Sequence, residues 1–171
     1  MKKALYLLLV LMLICVSGCG KKTKEESKEI TNEFKIRNIT FKFDKDGTFN
    51  DFSYKYSSKI KLNESEKTTY LTYENDDIVN GKFVFRISLY SKENTNIKTI
   101  FNESKYNNYK TKKINNITWN VYVSDVDNVK TLIFATEKNN NVYITNIAIY
   151  KKSEVDLDNL ADVFMNGVSI K

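Results

Sequence analysis

Phe83-Val84-Phe85-Arg86-Ile87-Ser88-Leu89-Tyr90 is the most regular stretch of the chain. Phe83, Phe85, Ile87 and Leu89 fall on one side, and Val84, Arg86, Ser88 and Tyr90 on the other. A period of two belongs to a β-strand with one face against a core. The same texture recurs on both sides. Phe52, Tyr54 and Tyr56 alternate with Ser53, Lys55 and Ser57, and Thr69-Tyr70-Leu71-Thr72-Tyr73 reads as a further strand. Trp119, Val121 and Val123 alternate with Asn120 and Tyr122. Leu132 to Thr136 and Val142 to Tyr150 flank Asn139-Asn140-Asn141, an amide-rich turn that tolerates left-handed backbone. Strands joined by such short turns pair antiparallel.

Further out, Ile36, Ile39, Phe41 and Phe43 lead into Asp44-Lys45-Asp46-Gly47, followed by Phe49. Asp-Gly between apolar β-formers predicts a hairpin turn there. Calcium is the rival reading of Asp44 and Asp46, but Lys42 and Ser53 stand where an EF-hand loop needs oxygen ligands. Asn63 to Lys67 reads as a polar turn. Ile97, Ile100 and Phe101 at helical spacing predict a short helical turn over 96–103. The chain closes with a helix: Ser153 or Asp156 caps it, Leu157, Leu160, Ala161 and Phe164 form its apolar face, and Gly167 stops it. The expected fold class is α+β: an antiparallel sheet of about five to eight strands covered by a C-terminal helix.

The N-terminus has a different chemistry. Lys2 and Lys3 precede an apolar run from Ala4 to Val16, 13 residues long. That is short of the roughly 20 needed to span a bilayer. A basic start, a short apolar core and small residues before a cut site form a secretory signal. An uncleaved anchor, or an ordinary signal with an incidental cysteine, are the alternatives. Gly20 to Glu33 holds four lysines, four glutamates and one large apolar residue, Ile30. It cannot bury a face and reads as a tether reaching at most about 50 Å. The expected organisation is a signal over 1–18, a tether over 19–33 and one domain over 34–171.

Composition closes several doors. The chain carries 27 basic and 21 acidic residues without a long basic block, which argues against nucleic acid. It has no histidine, no proline and two cysteines, Cys15 and Cys19, both in the N-terminal stretch. The domain itself therefore has no disulfide, thiolate or imidazole chemistry and none of the common zinc sites. Lysine, asparagine, isoleucine and tyrosine number 25, 21, 16 and 11 against 2 arginines, a bias expected of AT-rich coding in a low-GC Gram-positive bacterium.

Val16-Ser17-Gly18-Cys19 resembles the lipobox of bacterial lipoproteins. The resemblance implies cleavage between Gly18 and Cys19, and a diacylglyceryl thioether on Cys19. It also implies anchoring at the outer face of the plasma membrane. From about Ile36 onward the order resembles the PsbP-like α/β/α sandwich, which includes DcrB-like lipoproteins. The residues carrying this are Ile114-Asn115-Asn116-Ile117-Thr118-Trp119, Leu132 to Thr136, Val142-Tyr143-Ile144-Thr145 and the terminal segment Leu157 to Ile170. Asn116 stands where that family usually has glycine. The resemblance implies a non-enzymatic binding or assembly factor without a shared catalytic set. The alternative is a small-ligand carrier, either a lipocalin-like barrel or a sandwich with a pocket, with an internal cavity lined by Phe83, Phe85, Trp119 and other apolar residues.

Candidate sites are few. Tyr106 and Tyr109, with Lys105, Lys110, Lys112 and Lys113, form a basic aromatic segment suited to sugars, lipid headgroups or an acidic partner. Its plainer reading is an edge strand whose lysines deter sheet-to-sheet pairing. Trp119 reads as a core anchor, or else as a stacking platform. Asp125, Asp127 and Asn128 read as an Asx-type turn, with calcium the rival. Asp76 with Asp77, and Asp156 with Asp158, are carboxylate pairs without the cleft that glycosidase chemistry needs. No catalytic residue, metal ligand or cofactor is expected. The expected partners are the membrane, through the lipid, and a protein or envelope component bound by a monomer.

Overall fold

The computed structural model describes residues 32–75, 83–101 and 108–171, with backbone alone at 108 and 109. The signal, the lipobox, the tether up to residue 31, Asp76, Asp77, Glu103, Lys105 and Tyr106 lie outside the described residues.

The strands in chain order are β1 (Glu33–Ile36), β2 (Ile39–Lys42), β3 (Lys45–Phe49), β4 (Phe52–Tyr56), β5 (Lys61–Glu64), β6 (Thr69–Glu74), β7 (Phe83–Lys92), β8 (Asn108–Ile114), β9 (Ile117–Val126), β10 (Val129–Lys138), β11 (Asn141–Tyr150) and β12 (Ser169–Ile170). Two helices are described, α1 (Ile97–Ile100) and α2 (Leu157–Met165). Seven strands form one antiparallel sheet in the order β5-β6-β7-β11-β10-β9-β8. β12, β4 and β3 form a second, smaller sheet, and β1 and β2 a separate hairpin.

Turns explain why a chain with five glycines and no proline folds into so many hairpins. Asn139 and Asn140 (φ 53° and 60°) join β10 to β11, and Asn115 and Asn116 (φ 50° and 63°) join β8 to β9. Asparagine tolerates the left-handed region better than other non-glycine residues, so it supplies turns that glycine usually makes. Asp127 (φ 54°) turns β9 into β10.

The first hairpins depart from expectation. Asp46 and Gly47 are not a turn; they lie within β3, opposite Lys55 and Tyr54. The turn falls at Asn50-Asp51 (φ 42° and 66°), and another at Arg37-Asn38, where Arg37 has φ 51°. Gly47 answers to space instead. A Cβ built on it would lie 2.6 Å from the Tyr54 ring. The expected polar turn over 63–67 is also shifted, because Asn63 and Glu64 belong to β5. The reversal runs from Ser65 to Thr68, whose backbone amide donates to Ser65 Oγ at 3.0 Å.

The large sheet has two unlike faces. Its inner face carries Phe85, Ile87, Leu89, Trp119, Val121, Leu132, Phe134 and Ile147. The β1–β2 hairpin, β4 and α2 contribute Phe34, Phe41, Phe52, Tyr54, Leu160 and Phe164 to the same core. Trp119 is fully buried and meets Phe134 edge-on at 6.5 Å, so it is a core anchor. The helix reading holds at its N-terminus: the Asp156 carboxylate accepts from the Asn159 amide at 3.1 Å. Ser153 instead ends a 3-10 turn. Leu157, Leu160, Ala161 and Phe164 are all buried, the stripe expected from their spacing. Gly167 sits where α2 gives way to β12, and a Cβ there would lie 2.9 Å from Lys55 Cβ. The expected α+β class and single sheet of about five to eight strands describe the large layer. The small sheet shares the inner face with α2.

Among the described residues the outer face is covered only in part. Ile97, Ile100 and Phe101, in and beside α1, pack on Tyr122, Ile133, Ala135, Val142 and Ile144. Phe101 stacks on Tyr122 at 4.5 Å.

Candidate functional site

Beyond that small cluster the outer face opens into a groove of about 520 Å³. Its floor follows from strand alternation. Ser88 is opposite Asn146 across β7 and β11, and Arg86 is opposite Ala148. Ala148 is in turn opposite Thr131 on β10, and Tyr70 on β6 is opposite Ser88. Serine, alanine, asparagine and threonine are short, so these two rows leave a trough between taller neighbours. Tyr70, Phe83 and Tyr90 stand along it.

One irregularity shapes the wall. Tyr73 pairs with Phe85, but the next residue of β6, Glu74, pairs with Phe83 and skips Val84. The extra residue is a β-bulge, which bends a strand and re-aims its side chains. Val84 and Phe85 therefore both enter the core. Phe83, expected on the inner face with Phe85, lines the groove instead. This corrects the strict alternation read from the sequence. It also separates Phe83 from Phe85 and Trp119, so the three do not line one cavity.

Phe83 gives Arg86 its seat. The guanidinium carbon of Arg86 lies 4.5 Å from the centroid of the Phe83 ring and 5.9 Å from that of Tyr70. A guanidinium held over aromatic rings in this way keeps N–H donors for a ligand. Arg86 makes no ion pair among the described residues. Next to it on the diagonal is Asn146, whose Oδ1 is buried without a hydrogen-bond partner among the described residues. An unpaired buried acceptor costs about 1–3 kcal/mol, so this atom stands out chemically.

The basic aromatic segment is placed differently. β8 is an edge strand of the large sheet. Lys112 is opposite the inward-facing Trp119, and its ammonium pairs with Asp162 on α2. Lys113, one residue on, faces the other way, and Lys110 is exposed. The strand therefore does not bring Lys112 and Lys113 together on one surface. Tyr109 is described by backbone alone, and Tyr106 lies outside the described residues.

Asp125 pairs with Lys151, which also donates to the Asp127 carbonyl at 3.2 Å. The hairpin turn is thus tied to the 3-10 turn after β11. Among the described residues no three acidic, histidine or cysteine side chains cluster as a metal site. Asp156 is occupied in capping α2.

No motif in the sequence announces the groove. A usable signal was present in Arg86, one of two arginines beside 25 lysines, on the alternate face of the clearest strand.

No family model matches the chain, and no curated protein does. Among solved structures, a protein of Bacteroides thetaiotaomicron VPI-5482, solved at 1.50 Å, is similar with a TM-score of 0.50 and 10% identity. The match covers 71% of this chain and 45% of that one, so the chain spans under half the length of its structural neighbour. At this identity the likeness is one of fold: a strand-rich layered domain.

Proposed function

We propose that the protein is a membrane-anchored, extracytoplasmic lipoprotein whose domain is a non-enzymatic binding module. The anchor rests on Val16-Ser17-Gly18-Cys19 behind a basic and apolar leader. Two acyl chains bring about 0.8 kcal/mol per buried methylene, enough for durable attachment. The binding role is carried by one observation, the groove that the described residues form beside α1 on the outer sheet face. A PsbP-like kinship belongs to the same proposal. Its support is the run β9, β10, β11 followed by the closing helix α2, in the order the resemblance implies.

Two measurements test this reading. Cys19→Ala should abolish incorporation of labelled palmitate and release the chain from the membrane fraction or leave it unprocessed. Unchanged attachment with normal processing refutes the anchor. In intact cells, a photo-crosslinker at Thr131, on the groove, should trap one discrete envelope component that Arg86→Ala no longer yields. The same adduct with Arg86→Ala, or none at all, counts against a binding role for this face.

A further inference from the structure

We infer that the groove takes a carboxylate-bearing sugar unit, with Arg86 gripping the carboxylate and Asn146 meeting a ring hydroxyl. The inference deepens the binding-module reading and rests on it. Four features of the groove lead to this chemistry.

Charge comes first. Among the described residues, Arg86 is the one charged residue lining the groove, and no acid lines it. A single guanidinium fork matches a single carboxylate in a planar, two-bonded arrangement. Among the described residues no lysine lines the groove to share a dianionic phosphate group.

Backbone comes second. The groove lies on the face of β6, β7, β11 and β10, interior to the edges formed by β5 and β8. The strand amides and carbonyls there are consumed by the ladders on both sides. An extended peptide laid on that face finds no main-chain partners, and its own amides go unmatched. A sugar has no such requirement.

Side-chain chemistry comes third. Ser88 and Thr131 offer hydroxyls and Asn146 an amide, while Tyr70 and Phe83 offer aromatic faces. Hydroxyls and amides match ring hydroxyls, and aromatic faces match the C–H faces of the ring.

Spacing comes fourth. Arg86 and Asn146 are diagonal neighbours on β7 and β11, about 7–8 Å apart at the backbone. One pyranose ring with its carboxyl group bridges such a gap. Asn146 lines the groove, and a turn of its amide about the last side-chain bond brings Oδ1, which lacks a partner among the described residues where it lies, out to a ligand hydroxyl.

The test is calorimetric titration of the full chain in neutral detergent with three probes. These are trigalacturonate, its fully methyl-esterified form and a triaspartate peptide. Trigalacturonate should bind saturably at one site per chain, and neither other probe should. Arg86→Ala should weaken it about ten- to hundredfold and Asn146→Ala about two- to tenfold, with neither substitution lowering the melting temperature by more than a few degrees. Arg86→Lys keeps the charge, loses the fork and should fall between Arg86→Ala and the native chain. The inference is overturned if trigalacturonate does not saturate. It is equally overturned if binding ignores both groove substitutions, which places it among the surface lysines. Equal affinity for the methyl ester removes the carboxylate from the argument. Triaspartate binding with the same Arg86 dependence overturns the sugar while leaving a binding module. A groove silent to all three probes, with the Thr131 crosslink still formed, rejects the ligand class alone.

Discussion

Gly47 stands directly opposite Tyr54 across β3 and β4, and the tyrosine ring lies over the space a side chain would fill. A Cβ on Gly47 would come 2.6 Å from two ring carbons and 2.8 Å from the phenol oxygen. Tyr54 is 1% exposed, so its ring has no free direction in which to retreat. Gly47→Ala is expected to cost about 1–3 kcal/mol by overpacking. Urea denaturation measures it. In a double-mutant cycle, Tyr54→Leu should recover a large part of that loss. Additive losses would show that Gly47 is needed for something other than room for the ring.

The same pair shows which features were legible. Asp46-Gly47 has the local signature of a hairpin turn, yet its glycine serves a contact with another strand. Asn50-Asp51 takes the turn, a role that short-range patterns assign less readily than Asp-Gly. By contrast, the β10–β11 hairpin and α2 were readable because their signals are local: alternation, an amide-rich turn, a cap and an apolar stripe. β5 escaped because all four of its residues are exposed, leaving no buried face to impose a period. The groove escaped for a different reason. It depends on a bulge set by pairing with β6, and on the short residues that β11 brings opposite β7. Neither is encoded within β7 itself.

The cap on α2 is a second point of leverage. Asp156 accepts from the Asn159 amide, and Asp158 follows in the first turn, where negative charge suits the helix dipole. Asp156→Ala is expected to cost about 1 kcal/mol, and Asp156→Asn much less, because the amide oxygen can still accept. In a domain of this size that loss lowers the melting temperature by about 2–4 °C. Equal losses for the two substitutions would assign the effect to charge and not to the hydrogen bond.

The lysines of β8 are expected to act on solubility more than on stability. The Lys112–Asp162 pair is partly open to solvent, with side-chain exposures of 33% and 55%. Pairs of this kind contribute about 0–1 kcal/mol. Lys110, Lys112 and Lys113 also lie on a strand that is an edge of the sheet among the described residues, and such edges invite pairing with another sheet. Replacing all three by threonine should leave the melting temperature within a few degrees and raise light scattering with concentration. A triple variant that stays monomeric over the same range would remove the protective role.

Alkaline titration probes the core from within. Burial raises the Tyr54 phenol above its ordinary 10.0, with Glu64 and Tyr56 adding to the effect and the Thr69 hydroxyl opposing it. Tyr122 is raised in the same sense by burial and by Glu137. In the unfolded chain both phenols ionise near 10.0. Above that pH the unfolded state has released protons that the folded state keeps, so stability falls as pH rises. The contribution is fully present below pH 10 and is lost as pH climbs through the raised folded values. Lysines titrate over the same range, so the informative quantity is a difference between variants. The urea midpoint should fall between about pH 9 and about pH 11 in the native chain, and less steeply in Tyr54→Phe. The phenylalanine keeps the ring over Gly47 and removes only the ionising group. An equally steep fall in Tyr54→Phe would mean that the buried phenol does not couple to folding.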